Sequence, residues 1–382
     1  MNRPLRIALV TTDARHWFGQ FDSEIPNFGT AIQGLLQGFG ELEDVEVHVI
    51  CASPSPLKSP EKLAANIWFH HLHVAKPGWG RSLFLGVAWR IRKLVRELQA
   101  DIVHGQGTER DCAVAAVLSG KPNVLTIHGN MRVHAKRREN GHQLYYKIAA
   151  FLETICLART GGVVAISRYT ENLVKGLAPR TWLLPNAVDR RFFDIAPEPP
   201  ATPRILFVGS LDERKNPLGL LHACEPMLRA GECTLTMIGQ SNPGHPYVRE
   251  VIQLAAELPG VEMIGFIGRD ELGGHFQHSS LLVLPTFEDN CPMVVLEAMA
   301  AGLPVAASRV GGVPDLVEHE NDGLLYDPHD PADVRSCIER LVRDPALRAG
   351  FAARGRAKAL EKFHPQVIAA EHVRIYREVL GR

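Results

Sequence analysis

Two stretches of this chain combine glycine, cations and carboxylates at spacings suited to a phosphorylated ligand. In FVGSLDERKNP (207–217) an apolar strand pattern runs into a glycine turn, and Arg214 and Lys215 come just before a helix start. Glycine at Gly209, next to Ser210, lets a backbone approach a ligand closely. The two cations can grip a diphosphate, Arg as a planar fork and Lys as a point charge. An ordinary strand–helix turn with two solvated cations would show the same pattern. In PTFEDNCPMVVLEAMAAGLPV (285–305) an acidic loop with Glu288 and Asp289 leads to Pro292, which the pattern predicts as the first helical residue. The amides of Met293 and Val294 then lack intrahelical partners and, with the helix dipole, favour a phosphate. Glu297 interrupts an otherwise apolar helix, so its carboxylate must be paired or accept hydrogen bonds from hydroxyls. A sugar diol and a structural ion pair both satisfy that requirement. In TIHGNMRVH (126–134), His128 stands at the end of a strand pattern, where a histidine either packs or faces a ligand.

The elements that must position these residues alternate strand and helix, twice. In the first half, strands are predicted at Leu5–Val10, Val45–Ile50, Ile102–His104, Val124–Ile127 and Val163–Ile166, with a helix from about Gly29 to Phe39. One further helix places Val87, Ile91, Leu94, Val95 and Leu98 on a single face, opposite Arg90, Arg92, Lys93 and Arg96. The run APEPPATP (196–203) has few ladder donors and reads as a linker. The alternation then restarts: strand Ile205–Val208, helix Pro217–Arg229, strand Thr234–Ile238, helix Tyr247–Leu258, strand Leu281–Leu284, helix Pro292–Ala301 and strand Pro304–Ala306. A last helix after Pro365 lines up Ile368, Ile375, Tyr376 and Val379. Alternation of this kind predicts an α/β chain of two doubly wound, Rossmann-like domains with parallel sheets. Residues 1–195 form the first domain, 196–203 the linker and 204–364 the second. A ligand cleft is expected between them at the carboxyl ends of the strands.

Composition narrows the class. The chain has 382 residues, 46% hydrophobic and 22% charged, which excludes disordered, collagen-like and disulfide-framework proteins and suits two or three domains. The seven scattered cysteines include no Cys-x-x-Cys pair, so they read as free thiols of a reducing compartment. The opening MNRPLRIALVTTD has too short an apolar core for a signal peptide, and no run reaches spanning length. A cytoplasmic chain is expected. The zero net charge conceals an asymmetry: residues 1–190 carry 23 Lys and Arg against 16 Asp and Glu, and the remainder carries 19 against 26. A basic first part suggests an anionic partner there, with a chance surface imbalance as the alternative. Nucleic acid is not that partner, because no binding motif appears and the cations are not interleaved with aromatics. A dehydrogenase is excluded as well, since no Gly-x-Gly-x-x-Gly follows the first strand.

The second half resembles the retaining family 4 glycosyltransferases (glycosyl transferases group 1) of GT-B architecture. Their acidic residue, seven residues and Glu followed by Ala-Met-Ala-x-Gly-x-Pro-Val correspond here to Asp289, Glu297 and AMAAGLPV. GGVPDLVEHENDGLLYDPHD, LPNAVDRRFF, AISRYTENLV and GFIGRDEL agree with the family's flanking stretches, so the resemblance runs from about Leu125 to the C-terminus. It implies that Glu297 holds the donor ribose, that Arg214 and Lys215 hold the diphosphate, and that Asp289 sits at the donor sugar. His128 would point at the transferred sugar, Gly29 would open a helix facing the diphosphate, and residues 365–382 would pack back on the first domain. Three departures stand out: Asp289 replaces the usual Glu, although Glu288 precedes it; Ser210 stands where many members have Arg; and NFGT (27–30) lacks the common Gly-Gly pair.

The implied reaction is retaining transfer from a nucleotide-sugar donor to a glycan or lipid-linked acceptor, in cell-envelope polysaccharide or glycolipid synthesis. No cofactor is implied, since the nucleotide sugar is a substrate. No Asp-x-Asp pair offers a diphosphate-bridging metal site. Arg132, His134, Lys136, Arg137, Arg138 and Lys147, with Leu144, Tyr145, Tyr146 and Ile148, suggest docking on an anionic membrane surface at its inner face, a solvated helix face being the alternative. The rival functions are a nucleotide-sugar epimerase or hydrolase of the same fold and a non-catalytic binding relative.

Overall fold

The computed structural model describes residues 3–108, 111–136 and 143–382. The chain divides into two compact units, Met1–Ala187 with Pro365–Arg382, and Val188–His364. The strands of the first unit are β1 (Leu5–Val10), β2 (Val45–Ser53), β3 (Lys62–Ala64), β4 (Ile67–His73), β5 (Ile102–Gln106), β6 (Asn123–Ile127), β7 (Val163–Ala165) and β8 (Thr181–Leu183). They lie in the order β3-β4-β2-β1-β5-β6-β7-β8, parallel except for β3 on β4. Parallel neighbours need crossovers, which the helices Thr30–Gly40, Leu85–Glu97, Asp111–Leu118 and Gln143–Arg159 supply. Because β1 pairs with β2 on one side and β5 on the other, the winding reverses at β1. The loops after β1 and β5 therefore open a crevice at their carboxyl ends.

The second unit repeats the plan with β9 (Arg204–Val208), β10 (Thr234–Ile238), β11 (Val261–Gly265), β12 (Leu281–Leu284), β13 (Val305–Ser308) and β14 (Leu324–Tyr326). Their order is β11-β10-β9-β12-β13-β14, all parallel, so the reversal falls between β9 and β12. The loops that follow these two strands carry Arg214 and Lys215 on one side and Glu288 and Asp289 on the other.

The terminal helix Pro365–Leu380 packs on Thr30–Gly40 in the first unit, burying Ile368, Val373, Ile375 and Tyr376. The contact is close enough that a Cβ on Gly38 would come within 2.0 Å of the Pro365 carbonyl oxygen. The second unit starts at Val188, ahead of the proline run. Phe192 packs edge-on against Phe276 with ring centroids 5.2 Å apart, and Arg356 donates to the Ile195 carbonyl at 3.2 Å. Residues 188–195 therefore belong with the second unit rather than the first. Pro292 also differs from expectation. With φ −66° and ψ 110° it is the N-cap, and Met293 is the first helical residue. All seven cysteines are free and buried. Among the described residues, no helix is long and apolar enough to cross a membrane.

Candidate functional site

In the second unit the predicted cations Arg214 and Lys215 meet one of the predicted carboxylates, Asp289. Asp212 caps the turn Glu213–Lys215 by accepting from the Lys215 amide at 2.9 Å. Asn216, in the left-handed region at φ 53°, then redirects the chain into the helix Pro217–Arg229 and caps it. That geometry sends the Lys215 ammonium to Asp289 Oδ2 at 2.6 Å, with the Arg214 guanidinium 3.8 Å from the same oxygen. Arg214 also donates to the Glu288 carbonyl at 3.1 Å, and Thr286 Oγ1 bonds the carbonyls of Arg214 and Glu288 at 3.0 and 2.9 Å. The loops after β9 and β12 are thus tied to each other. The side chain that reaches the cations is that of Asp289, whereas Glu288 meets Arg214 through its backbone. Gly311, at φ +55°, backs this loop so closely that a Cβ there would lie 2.0 Å from the Asp289 carbonyl oxygen.

Gly209 lies under the Lys215 stem, where an added Cβ would be 3.5 Å from Cδ. Ser210 donates to Asp212 Oδ2 at 2.6 Å, bracing the turn. Met293 and Val294 open the Met293–Ala300 helix, where the first amides have no intrahelical acceptor. Glu297 is buried, at 4% exposure, and accepts from Arg269 Nη2 at 2.8 Å. Burial raises its pKa, and the Arg269 guanidinium opposes that rise. The carboxylate is therefore ion-paired in this structure. Arg269 had no assigned role in the sequence, although it stands in GFIGRDEL as the first residue of the helix Arg269–Gln277.

In the first unit, Gly29 is the N-cap of the helix Thr30–Gly40, and His128 follows β6. Both line a cavity of about 320 Å³ together with Thr11, Thr12, Trp17 and Gln106, at the crevice where the winding reverses. His128 Nε2 lies 2.9 Å from Gln106 Oε1, and Gln106 Nε2 lies 3.2 Å from His104 Nε2. His104 in turn meets Tyr376 Oη at 2.5 Å and Thr126 Oγ1 at 2.7 Å. Burial, assisted by the neighbouring His372, lowers the His128 pKa to about 4, so the ring is neutral at neutral pH. Gln106, which orients His128, gave no motif in the sequence; its one signal was a polar residue at a strand end. Arg137 and Arg138 lie outside the described residues. Among the described residues no three His, Cys, Asp or Glu side chains gather so as to hold a metal ion.

Two family models match, Glycosyltransferase Family 4 over residues 29–192 and Glycosyl transferases group 1 over residues 202–344. A D-inositol 3-phosphate glycosyltransferase from Streptomyces bingchenggensis is 33% identical over 46% of this chain, and the matched stretch spans 40% of that relative's length. The chain likewise spans under half the length of the other first relatives it matches, at 46% and 44%. An uncharacterized glycosyltransferase from Methanocaldococcus jannaschii is 26% identical over 82% of this chain and 85% of its own. Among solved structures, sucrose-phosphate synthase from Thermosynechococcus elongatus has a TM-score of 0.72 at 19% identity over 99% of both chains. Anabaena HepE in complex with UDP-glucose has a TM-score of 0.71 at 17% identity over 98% of this chain and all of its own. These two likenesses establish a shared GT-B fold.

Proposed function

Since the chain belongs to the group 1, family 4 glycosyltransferases, we propose that it transfers a sugar from a nucleoside-diphosphate sugar to a hydroxyl of a glycan or lipid-linked acceptor, with retention at the anomeric carbon. One observation carries the donor half of this reading. Lys215 and Arg214 converge at the reversal point of the second unit, on the loop tied to the one that leads into the Met293–Ala300 helix. Departure of the nucleoside diphosphate leaves charge on its terminal phosphate. A guanidinium, an ammonium and aligned helix amides held in place offset that charge without reorganising, and the reading calls for no metal. In the structure Asp289 neutralises Lys215. A bound diphosphate competes for that ammonium and releases the Asp289 carboxylate toward the sugar. Glu297, kept in place by Arg269, accepts from the ribose hydroxyls.

In the first unit His128 offers a ligand in its crevice an uncharged hydrogen-bonding ring, because its pKa of about 4 keeps it neutral. Anabaena HepE, which shares the fold, is solved in complex with UDP and with UDP-glucose, which supports a nucleotide sugar as donor. The proposed setting is cell-envelope polysaccharide or glycolipid synthesis at the cytoplasmic face of a membrane, with anionic lipid as a further partner.

The test is thermal shift of the purified chain against nucleoside diphosphates and nucleotide sugars, with Lys215→Ala and Glu297→Gln alongside. A ligand that binds only the folded state raises the midpoint by linkage. Stabilisation by one nucleotide class, reduced in both variants, is the expected result. Equal shifts in all three proteins would remove Lys215 and Glu297 from the donor site. Consumption of the donor at the same rate with and without acceptor would favour a hydrolase instead.

A further inference from the structure

Helices that cover a parallel sheet bury one face and ordinarily show water a polar one. Gln143–Arg159 does not. It buries Ala149, Glu153, Cys156 and Leu157, yet its outer side carries Leu144 at 72% exposure, Ile148 at 37% and Phe151 at 63%. These three stand at i, i+4 and i+7, a single stripe. Leu85–Glu97 repeats the pattern, with Val87, Ile91 and Val95 buried while Leu85 and Trp89, four apart, are exposed. Both helices pack on the buried helix Asp111–Leu118, and their starts face one open cavity of about 360 Å³, lined by Tyr145 at the start of one and Phe84 just before the other, together with Lys76 and Trp79. Scattered exposed apolar residues need no explanation, but two stripes on helices that start at one cavity and pack on the same buried helix make an apolar face.

Charge decides what covers it. Arg90, Lys93 and Arg96 flank the first stripe, and Lys147 and Arg159 the second. The acidic residues of the two helices are Glu97, 3.8 Å from Lys93, and Glu153, which is buried and bonded to Arg132. A second copy docked through the same face would set cation on cation, since a two-fold interface apposes like surfaces. An anionic bilayer takes both features at once. Leu, Ile, Phe and Trp enter the boundary between headgroups and acyl chains, while Lys and Arg stems lie along the apolar surface with their charges at the phosphates. We propose that these two helices form one membrane-docking surface, which seats the first unit on anionic lipid through Leu85, Trp89, Leu144, Ile148 and Phe151. The proposal rests on the reading above that an anionic membrane is a partner, and it assigns the contact to residues.

The test is flotation of the purified full chain with vesicles of phosphatidylglycerol and phosphatidylcholine in equal parts, and with phosphatidylcholine alone. A Leu144→Ser/Ile148→Ser/Phe151→Ser variant and a Lys93→Glu/Lys147→Glu variant accompany it, each matched to wild type in melting temperature. Wild type should float with the anionic vesicles. The apolar variant should lose about tenfold or more in partitioning, and the charge variant should lose the preference for anionic over neutral lipid. Flotation no better than the lipid-free baseline, or equal flotation of wild type and the apolar variant, overturns the proposal. So does a wild-type dimer by light scattering that becomes a monomer in the apolar variant without any vesicle binding. Nucleotide thermal shifts on the same samples separate this surface from the donor site. A chain that shifts but does not float refutes the docking surface alone, whereas one that floats without shifting supports it and refutes the donor reading.

Discussion

Acidification should weaken the first unit through a histidine on its terminal helix. His372 is 4% exposed, and its Nδ1 lies 2.9 Å from the Ile368 carbonyl, so the neutral ring carries its proton there. A second proton would go to Nε2, which is buried and without a hydrogen-bond partner. Burial accordingly lowers the pKa from 6.5 to about 4, against a smaller opposing effect from the Ile368 bond. Between those two values the unfolded chain holds a proton that the folded chain does not, so stability falls as pH falls. The full contribution is present above pH 6.5, and it declines until the pH reaches about 4. From pH 7 to pH 5 the differential protonation covers ~1.5 pH units at ~1.4 kcal/mol each, a loss of about 2 kcal/mol. All five tryptophans (Trp17, Trp68, Trp79, Trp89 and Trp182) lie in the first unit, so tryptophan fluorescence during urea unfolding reports that unit alone. In His372→Leu the loss between pH 7 and pH 5 should shrink by about 2 kcal/mol relative to wild type. Equal losses in the two proteins would refute the reasoning.

Two further outcomes follow from buried contacts. Arg15 is fully buried, bonded to Asp13 at 2.6–3.1 Å and to the carbonyls of Ser23 and Lys58 at 2.6 and 2.7 Å, so Arg15→Met leaves the Asp13 carboxylate uncompensated. The same urea titration should show a cost of about 3–5 kcal/mol, part of it recovered in Arg15→Met/Asp13→Leu; a cost under about 1 kcal/mol would mean that the pair holds nothing in place. Gly311→Ala places a Cβ against the Asp289 carbonyl at a φ that side chains rarely adopt. Calorimetry should show a lower midpoint for the second unit and a smaller nucleotide-induced shift, and a nucleotide shift equal to wild type would separate Gly311 from the site.

The central strands were legible because they are buried on both faces. LLVL reads as an unbroken apolar run and LRIALV as one interrupted only by Arg6, and they became β12 and β1. Strands β3, β4, β8, β11 and β14 escaped notice, β3, β8 and β14 being only three residues long. IWFHHLH mixes histidine into its run, and β11 is a half-exposed edge strand, so neither shows a clean period. Lys215 and Glu297 were singled out by residue type and position, and Asp289 by the family resemblance. Their partners were not found. Arg269 reaches Glu297 across 28 residues, and Tyr376 reaches His104 across 272. Such pairings come from strand order and helix packing, which no local pattern encodes.

That last contact changes what the terminal helix is for. Packing alone would ask only for the apolar side of Pro365–Leu380, which Ile368, Val373 and Ile375 supply. The helix also brings His372 and Tyr376 beside His104, with His104 and His372 ring centroids 5.3 Å apart and the tyrosine hydroxyl on His104 Nδ1. His104 meets Gln106, and Gln106 holds His128. Three imidazoles in mutual reach, His104 and His372 buried and His128 at the cavity wall, cannot all ionise, and all three are depressed, with desolvation as the largest cause. The helix from the far end of the sequence therefore helps to keep His128 uncharged. The residue that the sequence offers as catalytic is kept neutral first by its own burial and then by His372, more than two hundred positions away.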